Sequence, residues 1–397
     1  MPYNSFNQRS SRGRTNSYRP QRNNRRTSKE NIHPSRFIKA AKPAIESIPY
    51  VPKYTFNDFE LETILKTNIE NKGFTVPSPI QDQSIPVGLS GKDVIGIANT
   101  GTGKTIAFAI PVIQKLLSDK TSKVIIMAPT RELATQIEDE VRALAKNSGL
   151  FGALLIGGTP MGPQLKDLSY KPRIVIGTPG RIKDHLERGS LRLNEFNLAV
   201  LDEVDRMLDM GFVNDMREIL SELANERQSF FFSATLDSKV NALIGDFAKE
   251  PVTISVKSGD TTDTVEQNVV TYSSKNQKVD KLHDLLISKQ VSKALVFDET
   301  QRSVEKLSVE LISRGFSADA IHGGKSQGQR QRALDKFKSN KVTILVATDV
   351  AARGIDVSDI THVINFSTPQ TYNDYVHRIG RTGRAGRAGY AITFVEA

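Results

Sequence analysis

Val94-Ile95-Gly96-Ile97-Ala98-Asn99-Thr100-Gly101-Thr102-Gly103-Lys104-Thr105 reads as a buried strand that runs into a glycine-rich turn. The apolar stretch Ile106 to Leu117 predicts a helix directly after it. Strand, glycine loop and helix in this order form a phosphate cradle. Glycines let backbone N–H groups turn toward an anion, and the helix N-terminus adds partial positive charge. Lys104 supplies a mobile cation, and the Thr105 hydroxyl is suited to magnesium. The strict phosphate-loop pattern has Gly where Ala98 stands.

Outward from this loop, short Val/Ile-rich runs alternate with segments of helical period. Val94–Ala98, Val124–Ala128, Ile174–Gly177, Leu198–Asp202 and Phe230–Ser233 predict buried parallel strands. Between them, Glu132 to Lys146 places Leu133, Ile137, Val141 and Leu144 on one helical face. The polar stretch from Lys257 to Thr264 interrupts the alternation, which then resumes. Ala294–Phe297, Ala318–Ile321, Thr343–Ala347, His362–Asn365 and Tyr390–Val395 predict a second sheet. The fold class is therefore α/β, with two parallel sheets flanked by helices. The expected divisions are an extension at 1–53, a first domain at 54–256, a linker at 257–264 and a second domain at 265–397.

With 397 residues the chain is long enough for two domains. It has no cysteine, which excludes a disulfide scaffold, a thiolate zinc site and a cysteine nucleophile. Apolar runs such as Val124 to Ala128 fall far short of the ~18 residues of a membrane span, and the N-terminus has no apolar core. We expect no membrane association and a soluble intracellular protein. Residues 1–42 hold eleven Lys and Arg and one acid, Glu30, which accounts for the whole net charge of +10. The remainder is balanced. This Arg/Asn/Ser-rich tail, with Tyr3, Phe6 and Tyr18 interspersed, is expected to be disordered and to touch RNA. A solubilising or targeting role is the alternative. Ile32 to Ala41 is less polar and leaves room for a short helix without an assigned function.

Leu198-Ala199-Val200-Leu201-Asp202-Glu203-Val204-Asp205 places acids at the end of an apolar strand, where open α/β sheets bind ligands. Asp202 is the expected metal ligand, directly or through water. Glu203 is placed to orient or deprotonate the water that attacks a γ-phosphate. Arg378, Arg381 and Arg384, spaced by glycines, are the expected source of cations for the transferring phosphoryl group. Gly324-Lys325-Ser326 imitates a second phosphate loop, but no acidic pair ends a later strand of its domain, so we expect one nucleotide site.

From Phe56 to the C-terminus the chain resembles the DEAD-box RNA helicases, with their motifs in order. Gly73-Phe74-Thr75-Val76-Pro77-Ser78-Pro79-Ile80-Gln81, with Phe56 upstream, resembles the family's adenine-reading Q motif, which assigns Phe56, Phe74 and Gln81 to the base. Pro129-Thr130-Arg131-Glu132-Leu133, Gly157-Gly158 and Thr178-Pro179-Gly180-Arg181 resemble its first RNA clamp. Arg330 and Thr348 match RNA-backbone contacts, and Asp356 a ribose contact. Asp205, Ser233, Thr235 and His377 match residues that couple hydrolysis to unwinding. The resemblance implies two tandem RecA-like domains that use ATP and Mg2+ and take Thr100, Gly101, Thr102, Gly103, Lys104, Thr105, Arg381 and Arg384 to the nucleotide phosphates.

Three departures stand out. The second motif has Val204 where the family has Ala, Gly324 stands where many members have Asp, and Ser78 replaces the usual Thr. Members usually continue into a further helix beyond the position of Ala397, so we expect either a second domain without its last helix or a fragment of a longer chain. The leading reading is an RNA-dependent ATPase that separates short duplexes or remodels RNA–protein complexes. An ATP-gated RNA clamp with little unwinding is the alternative, and a processive DNA translocase is disfavoured by the Q motif. We read the chain as a bacterial, cytoplasmic monomer; a nucleolar location is the alternative in a nucleated cell.

Overall fold

The computed structural model describes residues 32–41, 50–99, 101–256, 264–288, 290–352, 355, 357, 359–383 and 387–397. The tail to residue 31, Thr100, the linker 257–263, Asp356 and Arg384 lie outside the described residues.

Seven strands form the first sheet: β1 (Val94–Ala98), β2 (Val124–Met127), β3 (Gly152–Leu155), β4 (Ile174–Gly177), β5 (Leu198–Asp202), β6 (Gln228–Ser233) and β7 (Val252–Val256). Their spatial order is β3-β4-β2-β5-β6-β1-β7, with every neighbour parallel. Six form the second: β8 (Val265–Tyr272), β9 (Ala294–Phe297), β10 (Ala318–Ile321), β11 (Ile344–Ala347), β12 (His362–Asn365) and β13 (Gly389–Glu396). Their order is β10-β11-β9-β12-β13-β8, again all parallel.

The strands are apolar on both sides because both faces are covered. Successive residues point to opposite faces, so Val94, Ile126 and Val200 join one core while Ile95, Ile125 and Leu201 join the other. In the second sheet Ala294 and Val296 face one core and Leu295 and Phe297 the other. The strand order has a chemical consequence. β1, β6 and β5 are neighbours, so their carboxyl ends bring the phosphate loop, Ser233 and Asp202 to one place.

Val204 is fully buried in the same apolar cluster as Leu201, Met207 and Val240, so its extra methyls lie in packed core. The imitation loop is occupied by structural bonds. Lys325 pairs with Glu305 and Asp319 at 3.4 and 3.8 Å, and Ser326 caps the helix Gln327–Lys338.

The expectation of a disordered extension up to residue 53 does not hold for residues 32–41 and 50–53. Pro34–Phe37 is a short 3-10 helix, capped by the His33 side chain, which accepts from the Ser35 N–H. Phe37 is completely buried in the second domain's core. Burying a phenylalanine contributes about 1.5–3 kcal/mol, which offsets part of the ordering entropy that a polar flank cannot. On the other side, Tyr50 donates its hydroxyl to Asp82 Oδ2 at 2.5 Å, and the Lys53 and Tyr54 N–H groups donate to the same carboxylate at 3.0 and 2.9 Å. Asp82 belongs to the first-domain helix Pro79–Leu89.

Candidate functional site

A cavity of about 400 Å³ lies between the two domains. Phe74, Gln81, Gly101, Gly103, Lys104, Thr105, Asp202 and Glu203 line it from the first domain, and Lys338 and Arg381 from the second. The loop is built by its glycines. Gly103 sits at φ +90°, left-handed backbone that requires glycine, and the Gln81 carboxamide packs directly against it. Lys104 is buried, its Nζ donating to the Ala98 carbonyl at 3.0 Å.

The Q-motif residues grip this loop. Gln81 Nε2 donates to the Gly103 carbonyl at 3.0 Å, and Ser78 Oγ donates to the Thr102 carbonyl at 2.7 Å. Gln81 Oε1 accepts from the Ser78 N–H at 2.9 Å, which caps the helix. A primary carboxamide has two donors and two acceptor sites, so one of each remains for a base. Phe56 is placed differently from the sequence expectation. It is buried behind Phe74, with ring centroids 6.1 Å apart, and does not line the cavity. It supports Phe74.

At the strand ends, burial pushes the Asp202 carboxyl up to about 6, with the Lys104 charge pulling the other way. Glu203 is opposed by the same burial, yet Arg206, Lys104 and Arg381 hold it below the usual glutamate range. Arg206 Nη1 lies 2.5 Å from Glu203 Oε2, both groups being buried. Glu203 also has left-handed backbone at φ 56°, a strained geometry of the kind found at functional sites. Sequence reasoning missed Arg206; its signal is a basic residue three positions beyond an acid at a strand end.

Asp205 is a junction of hydrogen bonds. Its Oδ2 accepts from the Ala234 N–H, the Thr235 N–H and the Thr235 hydroxyl at 3.1, 2.9 and 3.1 Å, and its own N–H donates to Ser233 Oγ at 3.3 Å. In the second domain, Arg378 forms a bidentate pair with Asp349 at 2.6 and 2.7 Å and donates to Asn365 and Ser367. It therefore anchors the helix Tyr372–Ile379, which carries His377. Arg381, just beyond that helix, donates to the Ile355 carbonyl at 3.1 Å and reaches the cavity. Arg384, Asp356 and Thr100 lie outside the described residues.

A second constellation spans the domains. Thr130 caps the helix Arg131–Leu144, and Arg131 lies over Gly157-Gly158, where a Cβ at Gly158 would collide with its guanidinium. Burial lowers the Arg131 pKa, and the neighbouring Arg330 and Arg181 charges lower it further, Glu132 opposing them. Pro129 precedes the cap, Thr178 starts the helix Pro179–Glu187 that bears Arg181, and Thr348 follows β11. The Nη2 of Arg330, a residue expected on RNA, lies 2.7 Å from buried Glu132 of the first domain, while its Nε has no partner among the described residues. Glu132 has no role legible in the motif that contains it, and only the three-dimensional pairing supplies one.

Comparison with known proteins accords with this geometry. A family model described as DEAD/DEAH box helicase matches residues 78–243, and one described as helicase conserved C-terminal domain matches 277–386. The DEAD-box ATP-dependent RNA helicase CshA of Bacillus subtilis (strain 168) is 44% identical over 342 residues, covering 86% of this chain and 69% of that protein. The chain belongs to the DEAD-box RNA helicases. It is an RNA-dependent ATPase and ATP-dependent RNA helicase with two RecA-like domains. S. cerevisiae Dbp5 bound to RNA and ADP BeF3 superposes on the helicase with a TM-score of 0.76 at 28% identity, over 86% of this chain and 90% of that one. Mss116p bound to ssRNA and AMP-PNP gives 0.75 at 31%, over 85% and 73%.

The Asp202 environment carries a pH prediction. Protonating this carboxyl removes its charge from the cavity, so turnover should fall on acidification, with a midpoint at about 6 or below. Added magnesium should move that limb to lower pH by competing with the proton. The fold should not weaken through this group. A carboxyl whose folded pKa is raised binds protons more tightly when folded, so its contribution to stability grows as pH falls through the folded value. Turnover that stays flat across this range would contradict the assignment.

Proposed function

We propose that the helicase binds ATP in the interdomain cavity and RNA on the arginine constellation, and that each ligand favours the other because both sites need both domains. What supports this most is the joint construction: Lys104 and Arg381 flank one cavity, and Arg131 and Arg330 share one charge cluster, from opposite domains.

Phe74 and the free edge of Gln81 would meet the adenine, and Asp356 the ribose. The loop N–H groups and Lys104 would hold the phosphates. Among the described residues no group of three or more acidic or histidine side chains could hold a cation alone. Thr105 and Asp202 line the same cavity and fit Mg2+ as a two-ligand site, the kind that magnesium completes with phosphate oxygens and water. When bound, the cation would neutralise phosphate charge. Glu203 takes a proton from water as its oxygen bonds to the γ-phosphorus. The bond to the bridging oxygen breaks, giving ADP and inorganic phosphate, and Arg381 and Arg384 stabilise the charge in flight. Asp205, held by Ser233 and Thr235, and His377 would pass that change to the RNA face. There Pro129, Thr130, Arg131, Gly157, Gly158, Thr178, Arg181, Arg330 and Thr348 would follow the backbone without reading bases.

RNA affinity should rise about tenfold or more when a non-hydrolysable ATP analogue is added, a coupling of about 1–3 kcal/mol. Arg330→Ala should abolish most of that rise, because it leaves Glu132 a buried charge without its interdomain partner. Equal RNA affinity with and without the analogue would contradict the proposal.

The basic tail would add loose RNA contacts. Deleting residues 1–31 should weaken RNA binding and flatten its salt dependence, by ~0.7 in slope for each phosphate the tail no longer neutralises. RNA-saturated turnover should be unchanged. Coincident slopes would leave the tail a targeting or solubilising element. A monomer in the bacterial cytoplasm fits the relatives, and those relatives lend the nucleolar alternative no support.

A further inference from the structure

We propose that Ile32–Lys39 is a docking segment whose partner is the face of β8 and helix Tyr372–Ile379 in the same chain, and that it makes a second covalent crossing between the domains. Four contacts fix it. Phe37, fully buried, lies against Tyr375 with ring centroids 4.7 Å apart. The Arg36 guanidinium sits 3.9 Å over the Tyr372 ring, a cation–π geometry. Ile32 packs at the margin of the same core. Lys39 forms an antiparallel bridge with Gln267, its N–H donating at 3.0 Å and its carbonyl accepting at 2.8 Å. Tyr375 in turn donates to the Gln267 side chain at 2.9 Å, so the docked face is a single bonded unit.

The direction of the bridge matters. β8 is the edge strand of the second sheet and begins at Val265, where the interdomain linker arrives. A segment antiparallel to β8 at Gln267 runs toward that linker. Eleven residue steps beyond Lys39 the chain is fixed again at Tyr50, on Asp82 of the first domain. Eleven steps reach at most about 40 Å when fully extended. The domains are thus joined by two chain segments, one from β7 to β8 and one from Lys39 to Tyr50. A second crossing limits how far the domains can part and raises the effective concentration of each domain at the other. Separating the domains widely requires pulling Phe37 out of its core.

This rests on the reading that RNA and ATP bind across the interdomain cleft. The test uses the full chain, which has no native cysteine, so one engineered cysteine per domain carries a dye pair for energy transfer. Phe37→Ala, Phe37→Leu and a slackened form with about twenty Gly/Ser residues inserted between positions 45 and 46, a flexible coil, are compared with the parent. Phe37→Ala undocks the segment, and the insertion leaves it docked but removes the restraint. Both should lower ligand-free energy transfer and raise the RNA concentration for half-maximal ATPase by about fivefold or more. RNA-saturated turnover should hold in both, and Phe37→Leu should lie close to the parent. If the slackened form behaves as the parent while ATPase remains RNA-stimulated, the second crossing carries no restraint and the proposal falls. If Phe37→Ala lowers saturated turnover without moving half-saturation, the segment supports the arginine-bearing helix instead, and the proposal also falls. Absence of RNA stimulation in the parent would instead overturn the reading beneath it.

Discussion

Glu203→Gln should reduce RNA-saturated ATP turnover by about 10²–10⁴-fold, the usual contribution of a positioned general base. Nucleotide binding should persist. The glutamate is buried at the end of β5, in strained left-handed backbone, with Arg206 2.5 Å from its Oε2 and Lys104 and Arg381 acting on its charge. These cations keep it ionised and ready to accept a proton. The amide preserves the shape and can still accept from Arg206, but it cannot take the proton. It also leaves Arg206 without a counter-charge, so a loss of stability should accompany the loss of turnover. Binding of a fluorescent ATP analogue shows whether the variant is folded. Turnover near the parent level in a variant that binds nucleotide would remove Glu203 from the chemistry.

Arg381→Ala should cost about 10³-fold or more in turnover, the range of an arginine that stabilises phosphoryl charge. Arg378 cannot substitute, because its guanidinium is committed to Asp349, Asn365 and Ser367. Arg381→Lys should recover only part of the rate, since an ammonium supplies charge without the planar fork. Nucleotide affinity should change far less than turnover, since the first domain supplies most of the cavity lining. Unchanged turnover in Arg381→Ala would mean that the second domain contributes no charge to hydrolysis.

The legible parts of this fold were those whose chemistry is local. β1, β4, β5, β9 and β12 are short runs buried along their whole length, and their limits can be read directly. Of the four edge strands, β10 stayed legible because Ala318, Ala320 and Ile321 are buried around Asp319, whereas β3, β7 and β8 escaped. Half of each such strand is exposed, as in the alternating Val265–Tyr272, so no continuous apolar run marks it. The catalytic constellation was visible because glycine loops and strand-end acids carry their chemistry in sequence. Arg206, Glu132 and Asp82 were not, since their roles come from partners that only folding brings close, and Arg378, expected among the phosphate cations, is committed to Asp349 by the same folding. Phe37 shows the limit most plainly. One aromatic residue in a basic, polar stretch has no periodicity to announce it, yet it is completely buried against Tyr375.

The central claim is that ATP bound at the interdomain cavity drives strand separation and that its hydrolysis resets the clamp. A short RNA duplex with a labelled strand, followed in a single turnover with enzyme in excess, tests it directly. The account predicts rapid separation with ATP and Mg2+ and little without nucleotide. Tight RNA binding with ATP hydrolysis but no separation would contradict it and leave an ATP-gated clamp.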